Sequence, residues 1–277
     1  MPEAMPYRAP AAACAADALL ALSDRPDMTI TELSKVTGST RSLLYRVLAE
    51  LRERALIEES RRPDDVTTYR LGFSSIEVGV AYVRSLPYLD LVRNVLRQLA
   101  QQTSETASLG VLRGRNVHYL MREEGSRSVL SVSAVGRSLP AHATAMGKAM
   151  LATLPKEELD ALYGQDSSLV TLTPRTIADG KTLIERLAQV RNEPYGVDAE
   201  ETILGRCGVG VAIDASAIGS HEIMGISLTS TLERFNEEPE SLTGPLLTAQ
   251  AYIAEQVASR AVFGTEDDFG HDLLWTK

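Results

Sequence analysis

The sequence predicts an α+β protein in two parts, an N-terminal winged helix-turn-helix joined by a linker helix to a larger domain with a mixed antiparallel sheet. Three observations predict it. An early stretch runs helix, helix, Gly-containing turn, helix, polar hairpin; an apolar helix then ends at Pro87; beyond it, strand-like and helical runs are mixed rather than strictly alternating. A chain of 277 residues suits a small domain plus a medium one. The implied boundaries are 1–72, a linker over 73–87, a second domain over 88–263, and an acidic tail, 264–277, poor in packing residues and expected to be mobile.

The first helix is expected over Ala11–Leu22, with Leu19, Leu20 and Leu22 available for packing. Thr29-Ile30-Thr31-Glu32 has the form of a capping box, in which hydroxyl and carboxylate each satisfy a helix-end N–H. It opens a short helix through Val36 that Gly38 stops, and Ser39 is the candidate N-cap of the next. Across Gly38–Leu56, Leu44, Val47, Leu48 and Leu51 recur at helical spacing on one face, while Ser42, Tyr45, Arg46 and Ala49 share the other with Arg41 at its edge. Two helices joined by so short a Gly-containing turn have the spacing of a helix-turn-helix. Leu56–Glu58 and Thr67–Leu71 read as strands around the polar tip Arg61-Arg62-Pro63-Asp64-Asp65, which makes a wing.

The formal net charge of −9 argues against nucleic acid only when averaged over the chain. Residues 1–72 hold ten Lys/Arg and eleven Asp/Glu, and Lys35–Arg54 holds five basic residues against two acidic ones. A helix with long polar side chains in its first turns, at the end of a helix-turn-helix, fits a reader of base edges in the major groove. Candidate DNA contacts are Ser39, Thr40, Arg41, Ser42, Tyr45 and Arg46, with Arg61 and Arg62 reaching phosphates from the wing. The competing reading is the solvated face of an ordinary small α+β domain. So few charges per subunit call for a dimer on DNA. The apolar linker residues Phe73, Ile76, Val80 and Val83 also need a partner, which a second copy of the chain supplies.

In the larger part, Tyr88–Thr103 is a helix with Leu91, Val92, Val95, Leu96 and Leu99 facing a core. Strands are expected over Ala107–Leu112, Val117–Met121 and Val129–Ala134. Val135–Pro140 breaks the pattern before a helix over Thr144–Leu154. Helices over Lys156–Tyr163 and Asp179–Asn192 follow, then strands over Gly196–Glu201, Val209–Ile213 and Ile223–Leu228, and a long final helix over Glu238–Arg260.

Composition bounds the function. With 44% hydrophobic and 23% charged residues the chain reads as a soluble globular protein, and no apolar run approaches the roughly 20 residues of a membrane span. Asp17 interrupts the Ala-rich start and only Arg8 precedes it, which does not make a signal peptide. Cys14 and Cys207 make neither a disulfide framework nor a metal cluster, and the four histidines lack metal spacing. A cytoplasmic protein without metal or cofactor is expected. Met146-Gly147-Lys148-Ala149 tempts a phosphate-loop reading, but His142 occupies the first glycine position and Ala149 the Ser/Thr position. Cys207 as a nucleophile with His142 as base has no spacing to support it, so no catalytic residue is assigned.

Several separated motifs, in order, resemble the IclR family of bacterial transcriptional regulators. They are Leu139-Pro140-Ala141-His142-Ala143-Thr144-Ala145-Met146-Gly147-Lys148, then Leu172-Thr173-Pro174-Arg175-Thr176-Ile177, then Tyr195-Gly196-Val197-Asp198-Ala199-Glu200-Glu201 followed by Gly205-Arg206-Cys207. The resemblance covers roughly residues 11–263. It implies a dimer, or a tetramer built as a dimer of dimers, on a double-stranded operator. It also implies a GAF-like effector-binding domain for a small carboxylate or aromatic acid. Positions matching the family's effector contacts are Ala145, Met146, Asp198, Cys207, Ser227 and Thr229. A repressor of a catabolic or metabolic operon is the expected role. An activator, or a binding protein or enzyme using the helix-turn-helix as an interaction module, is the alternative. The chain departs from the family pattern at Ala55, which stands where glycine is usual, at Pro194, and in a wing without its customary glycine. It is also one residue shorter between Glu201 and Cys207.

Overall fold

The computed structural model describes residues 9–84, 88–127, 135–164, 167–214 and 222–263. The strand expected over 129–134 and the tail 264–277 lie outside the described residues. The chain folds as two compact units, 1–87 and 88–277.

The first unit contains α1 (Pro10–Asp24), α2 (Ile30–Thr37), α3 (Arg41–Glu53), β1 (Ile57–Arg61), β2 (Thr67–Leu71) and α4 (Ser74–Arg84). The capping box forms at α2: Thr29 Oγ1 accepts from the Glu32 N–H at 3.2 Å, and the Thr29 N–H donates to Glu32 Oε2 at 2.8 Å. Gly38 ends the helix at φ 66°. Thr40, not Ser39, caps α3, its hydroxyl accepting from the Leu43 N–H at 3.4 Å. Ser39 belongs to the turn, where its carbonyl accepts from Ser34 Oγ at 2.7 Å. The expected stripe, Leu44, Val47, Leu48 and Leu51, packs with Cys14, Ala18, Leu22, Leu33, Ile57 and Tyr69 into one apolar core.

Ala55 takes the left-handed conformation at φ 52°. The Ala55 N–H donates to the Arg52 carbonyl and the Leu56 N–H to the Leu51 carbonyl, both at 2.9 Å, which is the bond pair of a Schellman ending with alanine in the glycine position. Asp65 likewise turns the wing tip at φ 62°, a conformation that Asp adopts more readily than most residues. The wing strands pair antiparallel from Ile57 with Leu71 to Arg61 with Thr67. On α4 and just before it, Phe73, Ile76, Val78, Val80 and Tyr82 are exposed.

The second unit contains α5 (Leu89–Thr103), β3 (Thr106–Arg113), β4 (Asn116–Glu123), β5 (Ser138–Pro140), a 3-10 turn (Ala141–Ala143), α6 (Ala145–Thr153), α7 (Lys156–Tyr163) and α8 (Gly180–Val190). After these come β6 (Gly196–Ala199), β7 (Arg206–Ile213), β8 (Met224–Thr231), α9 (Leu232–Glu237) and α10 (Glu240–Phe263). The strands form one sheet in the order β5-β4-β3-β8-β7-β6, with every pairing antiparallel. The helices α5 and α10 cover one face, and α6 lies on the other.

Two expectations are corrected. The break before α6 contains a strand, because 138–140 pairs with the outer edge of β4. The final helix starts at Glu240, since α9 precedes it and Pro239, which lacks an N–H to continue a helix, separates the two.

Candidate functional site

In the first unit, α3 presents Arg41, Ser42, Tyr45 and Arg46 to solvent, with Tyr45 59% exposed opposite a fully buried Leu44. No hydrogen bond or ion pair among the described residues engages the guanidinium of Arg41 or Arg46, so both can meet an external partner. The other basic side chains of this helix do not contribute equally. Arg52 pairs with Glu59 at 2.7 Å and Arg54 with Glu50 at 2.6 Å. The positive surface therefore comes down to fewer residues than the sequence count suggests.

The wing arginines are engaged as well. Arg61 Nη1 donates to Asp65 Oδ1 at 2.7 Å across the tip. Arg62 Nη2 donates to the Asp27 carbonyl at 2.6 Å and stands 3.9 Å from Glu32 Oε2, tying the wing to the segment before α2. Contact with a phosphate would compete with these bonds. The hydroxyl of Thr40 is already used as the cap of α3.

In the second unit, strand register sorts the expected effector residues. Directly opposed residues in a sheet share a face, and neighbours along a strand alternate. Ser227 stands opposite Ser108 and Gly210; Thr229 opposite Thr106 and Gly208; Asp198 opposite Gly208. A Cβ added at Gly210 would come within 2.3 Å of the Met146 nitrogen, and one at Gly196 within 2.4 Å of the Ala145 carbonyl oxygen. The N-terminal turn of α6 therefore rests directly on this face, and glycine is what lets it approach. Ala145, Met146, Asp198, Ser227 and Thr229 thus share one side of the sheet.

Cys207 does not. It pairs with Ser230 and Ala199, one position out of phase with Gly208, and so belongs to the opposite face. A shift of one residue along a strand moves a side chain to the other side. The thiol is 1% exposed, and burial, with the negative charge of Asp198, pushes it up to about 12. A thiol so poorly ionised is not a nucleophile at neutral pH. His142, the base considered with it, bonds instead through Nε2 to the Val170 carbonyl at 2.9 Å.

Asp198 is on the expected face, but its carboxylate is occupied. Oδ1 accepts from the backbone of Glu201 at 2.7 Å and of Thr202 at 3.2 Å, and Oδ2 accepts from Thr202 Oγ1 at 2.5 Å. Burial nevertheless raises its pKa, as it does that of Glu201, which forms an ion pair with Lys148 of α6, itself 1% exposed. The same register brings Ser108, Arg122 and Arg206 onto this face, although no motif singled them out as contacts.

Residues 80–255 match the family model "Bacterial transcriptional regulator IclR C-terminal", and residues 10–65 match that of the MarR family. The chain is 34% identical over 212 residues to the HTH-type transcriptional regulator XynR of Escherichia coli (strain K12), covering 76% of this chain and 81% of that protein. The crystal structure of Thermotoga maritima IclR is 27% identical with a TM-score of 0.63, covering 88% of this chain and 97% of that one. An IclR homologue from Microbacterium hydrocarbonoxydans, solved with 4-hydroxybenzoate, shares the fold at 21% identity and a TM-score of 0.68, covering 92% and 100%.

Proposed function

The chain belongs to the IclR family of bacterial transcriptional regulators, and on that premise we propose that this DNA-binding regulator is a ligand-responsive cytoplasmic repressor of a catabolic operon. Its effector is a small carboxylate or aromatic acid. The observation that carries this reading is the gathering of Ala145, Met146, Ser227 and Thr229 on one sheet face, where hydroxyls and a helix N-terminus suit an anion. That the Microbacterium homologue was solved with 4-hydroxybenzoate supports the ligand class.

Arg41, Ser42, Tyr45 and Arg46 read base edges, while Ser39, Thr40, Arg61 and Arg62 position the unit on phosphates. The exposed Phe73, Ile76 and Val80 pack against a second copy of the chain, as a dimer or a dimer of dimers. The effector prefers one arrangement of the paired linker helices and so shifts the population of operator-binding dimers. Repression needs only operator occupancy, which is why it is proposed over activation.

The test is fluorescence anisotropy with DNA from upstream of the protein's own gene, after a thermal-shift screen of carboxylates and aromatic acids. A hit should change operator affinity, and operator should change the affinity for that hit by the same factor. Equal operator affinity with and without saturating hit overturns the coupling.

A further inference from the structure

We infer that the acidic end of the effector is held by Arg206 of β7, with Arg122 of β4 and the hydroxyls of Ser108, Ser227 and Thr229 around it, forming an oxyanion subsite distinct from Asp198. This inference rests on the reading of that sheet face as the effector site and adds which residues meet the acid.

Placement comes from the register. Ser108 is paired on one side with Ser227 and on the other with Arg122, and Arg206 is paired with Thr231, so all of them lie on the face that carries α6. Two strands separate β4 from β7, about 14 Å of sheet. Arg122 stands in one row with Ser108, Ser227 and Gly210, four residues along β7 from Arg206, and its positive charge adds to burial in lowering the pKa of Arg206. Arg122 also pairs with Glu124 at 3.0 Å, which leaves Arg206 as the principal cation.

Partners then single out the site. Arg206 makes no ion pair among the described residues, and its Nη1 is buried without a hydrogen-bond partner. Ser108 is 1% exposed, and its Oγ has no partner either. Buried polar groups are normally satisfied, and those left open mark a place where something else binds. The neighbouring acids each have other partners, although one oxygen of Glu105 and one of Glu201 stay without a hydrogen bond. Asp198 holds the backbone of residues 201 and 202, Glu201 holds Lys148, Glu200 accepts from the Gly205 N–H at 2.8 Å, and Glu105 holds Ser230 and Arg234. Among the described residues no acid pairs with Arg206, which leaves its charge for a ligand to meet. A guanidinium fork with hydroxyl donors beside it matches a carboxylate or a phosphate.

The full-length protein is titrated calorimetrically with benzoate, adipate and inorganic phosphate, each against chloride at equal ionic strength, with benzamide as the neutral counterpart of benzoate. At least one anion should bind wild type in preference to chloride, and which one binds separates carboxylate from phosphate. Arg206→Gln should weaken that binding about tenfold or more, and Ser108→Ala a few-fold. If Arg206→Gln fails to fold, Arg122→Gln and Ser108→Ala carry the comparison. Failure of all three anions to bind, benzamide matching benzoate, or affinity unchanged in these variants overturns the subsite. Variant-sensitive binding that leaves operator affinity unchanged keeps the subsite and removes the ligand-responsive reading. A neutral ligand that shifts operator affinity while the anions do not bind does the reverse.

Discussion

The helices α3 and α6 begin alike and end in opposite roles. Each has a threonine cap, Thr40 to the Leu43 N–H at 3.4 Å and Thr144 to the Gly147 N–H at 3.1 Å. From there α3 buries one stripe and leaves a polar face in water, whereas Ala145 through Leu151 of α6 are buried throughout, Lys148 included. An exposed face acts through side chains that have no internal partner. A buried helix must pair its charges internally, and only its end and the sheet it lies on are left to meet the proposed ligand.

The largest expected effect lies in α6. Lys148→Met leaves Glu201 without its cation in a buried position and should cost about 3–5 kcal/mol in urea denaturation of the full chain. Replacing Lys148 and Glu201 together with methionines should recover most of that loss, because the uncompensated charge goes too. A single variant as stable as wild type would erase the contrast between the helices.

On α3 the opposite pattern is expected. Arg41→Ala or Arg46→Ala should change stability by no more than about 0.5 kcal/mol, yet relax discrimination at one operator position by about 1–3 kcal/mol in competition binding. Arg61→Ala should weaken binding to all sequences alike and reduce the salt slope by about one. If base preference were unchanged in both α3 variants, the reading surface would lie elsewhere.

The smallest effect is a gain. Ala55→Gly relieves the left-handed alanine at the end of α3 and should stabilise the protein by about 0.5–1 kcal/mol in a thermal melt. A loss would mean that the alanine methyl group contributes packing that outweighs the backbone strain.

Much of the first unit was legible because its signals are local. The capping box at Thr29 and the stripe at Leu44, Val47, Leu48 and Leu51 each lie within a few residues of their partners. The N-cap was displaced by one, from Ser39 to Thr40, since both side chains are competent and the turn hydrogen bonds decide between them. Charge counting misled, because Arg52 and Arg54 find carboxylates that a tally cannot pair with them.

The amino-acid sequence by itself determined the order of elements and the buried stripes, since these depend on periodicity and local capping, and it carried the motifs by which the family is recognised. Only the tertiary structure decided which side of the sheet each site residue occupies. Cys207 and Arg206 are adjacent in the chain and on opposite faces, and Arg206 shares its face with Ser108 and Arg122 only through strands paired across long stretches of chain. Alternation makes a shift of one residue a change of face, and α6 lies close on one face only where the strands place glycine beneath it, a match between segments far apart in the chain.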